Sequence, residues 1–230
     1  LSINNQMLDV NKIHLILGCK NFSTQKILSI LREFINERDL EIIYEDKKIT
    51  MEDYISLVSP SRYNHGENLI IKRLLQRDIA NKKERSNLID KLLYKIYKSK
   101  NIKFDYLTIE DLNNIKEMGM SIGSHSNSHR WLNSLSFQEQ NLEIKNSIEF
   151  LQKLNLIRQN DMKFFCYPYG AFNQDTLNIL NKYNVDFAFT VSNGESLIDN
   201  SLNDSYLKLK RWDTNDFWDS KYKKVRMPKF

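Results

Sequence analysis

"MSIGSHSNSHRWLNSLSFQEQNLEIKNSIEFLQKL", residues 120–154, is the stretch on which the reading of the fold turns. It begins as a short apolar strand, passes through a loop of small polar residues holding His125 and His129, and continues at helical period. The helix opens on Ser136 and Glu139 at capping-box spacing. Beyond it, "KFFCYP" (163–168) reads as a strand and "NQDTLNILNKY" (173–183) as a helix capped by Asn173. "DFAFTVS" (186–192) and "YLKLKRW" (206–212) read as two more strands. Strands and helices in alternation predict right-handed β–α–β units on a parallel sheet, open or closed into a barrel. In such sheets function collects beyond the carboxyl ends of the strands, where both "SHSNSH" and "YPYG" fall.

Working back toward the N-terminus, the rhythm becomes helical. Ser23 is a plausible N-cap for "STQKILSILREFI", with apolar residues at 27, 28, 31, 34 and 35. "ITMEDYISLVSPS" predicts a short helix that ends before Pro60. Two longer helices are expected over roughly 67–80 and 84–99. "TIEDLNNIKEMG" opens at Thr108, has Asp111 at the capping-box position and stops at Gly119. The chain therefore divides into a helical, cap-like region over 1–104 and an α/β region over 105–230, expected to form one structural domain.

The chain has 230 residues, 41% hydrophobic and 27% charged, which is ordinary globular usage. No apolar run approaches the roughly 18–20 residues of a membrane span. The net charge of +5 comes mostly from Lys72 to Lys103, where apolar and basic residues alternate at helical spacing. Solvated helix faces explain that pattern, and no zinc-finger spacing or glycine-rich phosphate loop supports nucleic-acid binding. Cys19 and Cys166 form no CxxC pattern, so a disulfide framework is not expected and a reducing, cytoplasmic compartment fits slightly better.

Neutral imidazole is the commonest protein ligand for zinc, and an i, i+4 pair can offer two rings to one ion. The spacing alone says little. Here the pair follows a strand end, is surrounded by Ser124, Ser126 and Ser128, and is matched by an aromatic-proline-glycine turn at the next strand end. These residues resemble the polysaccharide deacetylase family, whose catalytic domain is the NodB homology domain. Its H-S/T-x-x-H motif is matched by His125, Ser126 and His129, and its P-Y-G turn by Pro168, Tyr169 and Gly170. "FAFTVSNGE" and "LKLKRWDTND" resemble its later strands, and the likeness covers about 105–218. The helical segment before it resembles an insertion of some bacterial members.

The resemblance implies a distorted (β/α) barrel and metal-dependent hydrolysis of N- or O-acetyl groups on a carbohydrate. A divalent metal, usually zinc, would be held by His125, His129 and an aspartate, and would polarise the acetyl carbonyl. The backbone N–H of Tyr169 would stabilise the oxyanion, while Arg211 and Asp213 would help orient the catalytic base. Tyr167, Pro168 and Trp212 would line the sugar site. The setting implied is bacterial cell-surface polysaccharide. The family's Asp-Asp motif, which supplies the base and third ligand, has no counterpart in this chain. Its late acidic histidine is also unmatched, since His14 and His65 both precede the pair. The chain by itself is therefore expected to be inactive, and two accounts remain open. Either residues upstream of Leu1 complete the site, or the chain is an inactive carbohydrate-binding relative.

Overall fold

The computed structural model describes residues 7–58, 66–99, 102, 104–158, 160–196, 198–199, 204–213, 218–219 and 224–225. They fall into two compact units, Leu1–Tyr106 and Leu107–Phe230.

In the first unit five helices surround one apolar core: α1 (Asp9–Gly18), α2 (Thr24–Glu37), α3 (Met51–Leu57), α4 (Gly66–Arg73) and α5 (Lys82–Tyr97). Ser23 caps α2 by accepting the Lys26 N–H at 3.3 Å. Thr50 and Asn81 cap α3 and α5 in the same way, each at 3.1 Å. The apolar stripes supply Ile27, Leu31, Ile71, Leu88 and Leu92 to the core, each worth about 1.5–3 kcal/mol when fully buried. A hairpin interrupts the helices: β1 (Ile42–Tyr44) pairs antiparallel with β2 (Lys47–Ile49). Its two turn residues, Glu45 and Asp46, have φ of 48° and 61°, the positive values that match a tight turn to the strand twist.

The helix expected over 67–80 is α4 followed by one π-turn, Leu74–Asp78. Asp78 on that turn is 2% exposed. The Tyr54 hydroxyl donates to it at 2.5 Å and Arg73 Nε at 3.1 Å, and Arg77 Nε donates to its other oxygen. Burial and the neighbouring carboxylate push the Tyr54 phenol well up, so it remains a donor.

In the second unit α6 (Ile109–Glu117), α7 (Phe137–Lys153) and α8 (Gln174–Lys182) accompany β3 (Phe164–Cys166) and β4 (Phe187–Phe189). The capping boxes at Thr108/Asp111 and Ser136/Glu139 both form, and Asn173 caps α8. Strands β3 and β4 pair in parallel with Phe165 opposite Ala188. A parallel bridge flanks each side, Ser124 to Phe165 and Leu209 to Phe189. Four chain passes thus lie parallel in chain order, with α7 and α8 between successive passes.

The α/β class is observed. The expected strands at 120–125 and 206–212, however, contract to those single bridges, and the sheets among the described residues are small and do not close into a barrel. Met120, at the start of the first of these, is 56% exposed, so its apolar run lacks the covered face that would extend the ladder. Helices α7 and α8 bury Ile144, Ile148, Leu177 and Leu180 against Phe165 and Ala188. Among the described residues no helix is long and apolar enough to cross a membrane.

Candidate functional site

Ser124 anchors the first histidine. Its N–H donates to the Phe164 carbonyl at 2.8 Å, its carbonyl accepts from Cys166 N–H at 2.9 Å, and its Oγ lies 2.7 Å from Ser147 Oγ on α7. His125 therefore leaves the sheet at its carboxyl edge, beside the end of β3. Its Nδ1 is 2.6 Å from the Cys166 carbonyl oxygen. A carbonyl can only accept, so Nδ1 carries the proton and Nε2 keeps its lone pair, the arrangement that fixes metal-binding imidazoles. The ring is exposed at the surface, yet packing on one side removes enough water to lower its pKa from the ordinary imidazole value. The bond to Cys166 opposes that shift and the Arg211 guanidinium reinforces it, so the protein places Arg211 within electrostatic reach of His125.

The loop from 125 to 129 uses the left-handed region twice without glycine, with φ of 63° at Ser126 and 57° at His129. Ser126 Oγ accepts the His129 N–H at 3.2 Å, and Ser128 is tied to Glu143 of α7. The two imidazoles meet edge to face with centroids 4.7 Å apart. Tyr169 stands edge-on to His129 at 4.7 Å and stacks on Trp131 at 4.6 Å. Burial pushes the Tyr169 phenol up, so it stays protonated. Tyr169 reaches this place from a 3₁₀ turn, Pro168–Gly170, in which its own φ is 58°.

Gly170 follows at φ +70°, and a Cβ there would lie 2.3 Å from Val191 Cγ2. Gly170→Ala is therefore expected to cost about 2–3 kcal/mol, from overlap in a packed site plus the positive φ. Urea unfolding of the second unit measures it, and an unchanged midpoint would mean that the turn relaxes freely.

The structure thus brings together His125, His129 and Tyr169, with Arg211 in electrostatic reach of His125. Trp212 is exposed and Asp213 half-buried, immediately after Arg211. Tyr167 and Pro168 are buried. The Tyr167 hydroxyl donates to the Leu207 carbonyl at 2.7 Å and its ring stacks on Phe172 at 4.6 Å. Its flat face belongs to the core, which corrects the expectation of a sugar-lining ring. His65 lies outside the described residues.

Two contributors were missed in the sequence, Trp131 and Glu143. A signal for the second existed: Gln140, Glu143 and Ser147 are polar residues at the inward positions of α7, three and four apart.

Residues 94–188 match the family model described as polysaccharide deacetylase. That segment is similar to the polysaccharide deacetylase family. It contains His125, His129 and Tyr169, and ends before Arg211. Among solved structures the chain is similar to the Streptococcus pyogenes deacetylase PplD in complex with acetate, at 31% identity and TM-score 0.39 over 46% of this chain and 43% of that one. It is also similar to a Bacillus anthracis protein described as a polysaccharide deacetylase, at 25% identity and TM-score 0.39 over 46% of this chain and 31% of that one. The chain spans less than half the length of either. No curated protein matches it.

Within the segment that matches the family model, His125 and His129 suit two positions of a metal centre, because a neutral, oriented imidazole stands beside a second one. No group of three or more His, Cys, Asp or Glu that could hold a metal ion occurs among the described residues.

Proposed function

We propose that this chain supplies much of the catalytic domain of a carbohydrate deacetylase that hydrolyses N- or O-acetyl groups, with His125 and His129 as two ligands of a divalent metal, most simply zinc. The observation that supports this reading is the pair of imidazoles 4.7 Å apart at the carboxyl edge of parallel strands, inside the segment that matches the deacetylase family. A complete NodB-like barrel would frame the site. A metal bound there would act as a Lewis acid on the acetyl carbonyl and on water. In the overall reaction water adds to the acetyl carbon, the C–N or C–O bond breaks, and acetate leaves.

The chain's own residues would hold the substrate and the developing charge. The Tyr169 backbone N–H takes no backbone acceptor among the described residues, which leaves it available to an oxyanion. Arg211, in electrostatic reach of His125, would with Asp213 orient the catalytic base. Trp212, 42% exposed, offers a flat face to a sugar ring.

The test uses the intact natural protein with zinc and a set of N- and O-acetylated polysaccharides. Acetate release that a chelator stops is expected. Bound zinc without acetate release from any of them would overturn the reading. Sugar binding with neither zinc nor release would assign the chain to a carbohydrate-binding role instead.

A further inference from the structure

We infer that Glu143 is a positioning residue for the metal-binding loop, acting as a two-pronged clamp on Ser128. The inference rests on the reading of His125 and His129 as metal ligands.

Glu143 lies on the inward face of α7 and is 8% exposed. Its Oε2 accepts the Ser128 N–H at 2.8 Å and its Oε1 accepts the Ser128 hydroxyl at 2.5 Å. Both oxygens are thus committed to the residue next to His129. A carboxylate is excluded from the core unless it is fully hydrogen-bonded, so this one has a strong preference for a single loop geometry. That geometry is otherwise unfavourable, since Ser126 and His129 are both held at positive φ. Four residues along α7, Ser147 holds Ser124, so one helix face fixes both ends of the loop that carries the two imidazoles. Glu143 forms no group of potential metal ligands with the histidines. Its action is therefore through backbone geometry rather than through the ion.

The two prongs predict a contrast. A glutamine at 143 keeps one acceptor for the Ser128 N–H, and its amide can donate to the Ser128 hydroxyl, which reverses its role. Alanine keeps neither. In the intact protein, Glu143→Ala is expected to weaken zinc binding about 10–100-fold, and Glu143→Gln to stay within about threefold. In the metal-free protein, the His125 and His129 ring resonances should shift in the alanine variant and hold their positions in the glutamine variant.

Zinc affinity unchanged in Glu143→Ala would overturn the inference and leave the metal reading standing. Equal losses in both variants would overturn it as well, because charge rather than clamping would be at work. A wild-type protein that binds no zinc, while its imidazole resonances still follow the clamp, would overturn the metal reading alone. If Glu143→Ala does not fold, Ser128→Ala removes only the hydroxyl prong and should weaken zinc binding about 3–10-fold; unchanged affinity there overturns the clamp.

Discussion

Replacing His125 or His129 with alanine is expected to weaken zinc binding by more than about 100-fold, beyond what the loss of an outer-shell partner causes. On the proposed reading, each change would delete a ligand outright rather than loosen its orientation. For His125, the bond from Nδ1 to the Cys166 carbonyl leaves Nε2 as the only ring atom with a free lone pair, so no second atom of that residue can substitute. For His129, the φ of 57° and the edge-on Tyr169 ring set the direction of the imidazole, and no other histidine occupies the loop. A competition titration with a zinc-binding dye, on the intact protein, reads both. The histidines would be excluded as ligands by variants that each retain the wild-type metal content. Acetate release should fall with metal occupancy, and restoring occupancy with excess zinc should restore part of it.

Asp78→Ala is expected to destabilise the helical unit by about 3–5 kcal/mol, the usual result of removing one partner from a buried ionic cluster. Folded proteins of this size are stable by only about 5–15 kcal/mol, so a large part of the unit's margin would go. The change strands Arg73 Nε and the Tyr54 hydroxyl without their acceptor, in a site where Asp78 is 2% exposed and water cannot readily replace it. Tyr54→Phe should cost only about 1–1.5 kcal/mol, since the carboxylate keeps its arginine partners. The midpoint of the first urea transition, followed by far-ultraviolet circular dichroism, separates these outcomes. Equal midpoints for wild type and Asp78→Ala would show that the cluster contributes nothing net. The histidine site lies in the other unit, so zinc affinity is not expected to change.

Much of the second unit was legible in the sequence because its signals are local. The boxes at Thr108/Asp111 and Ser136/Glu139, and the cap at Asn173, each join residues three apart, and such contacts form wherever the chain turns into a helix. The alternation of strand and helix marked the carboxyl edge, and with it the place of His125, His129 and Tyr169. The hairpin at 42–49 escaped a helical reading of that half. Its turn depends on positive φ at Glu45 and Asp46, residues whose types do not announce it as Asn-Gly would.

Where the sequence stopped short, the deciding contact was distant along the chain. Whether an apolar run becomes a ladder depends on a strand tens of residues away, and residues 120–125 and 206–212 keep only one bridge each. Tyr167 and Tyr169 are two residues apart and chemically alike, yet one is sealed in the core beneath Phe172 and the other stands against His129. Glu143 gained its role only when the loop folded onto α7 and brought Ser128 to its carboxylate. The sequence by itself marked the helices from α2 onward, though not α1, and showed that two histidines and a Pro-Tyr-Gly turn share one edge. The tertiary structure alone decided which aromatic faces that edge, which carboxylate clamps it and how far the strands extend, because burial is a property of neighbours that only the folded chain assembles.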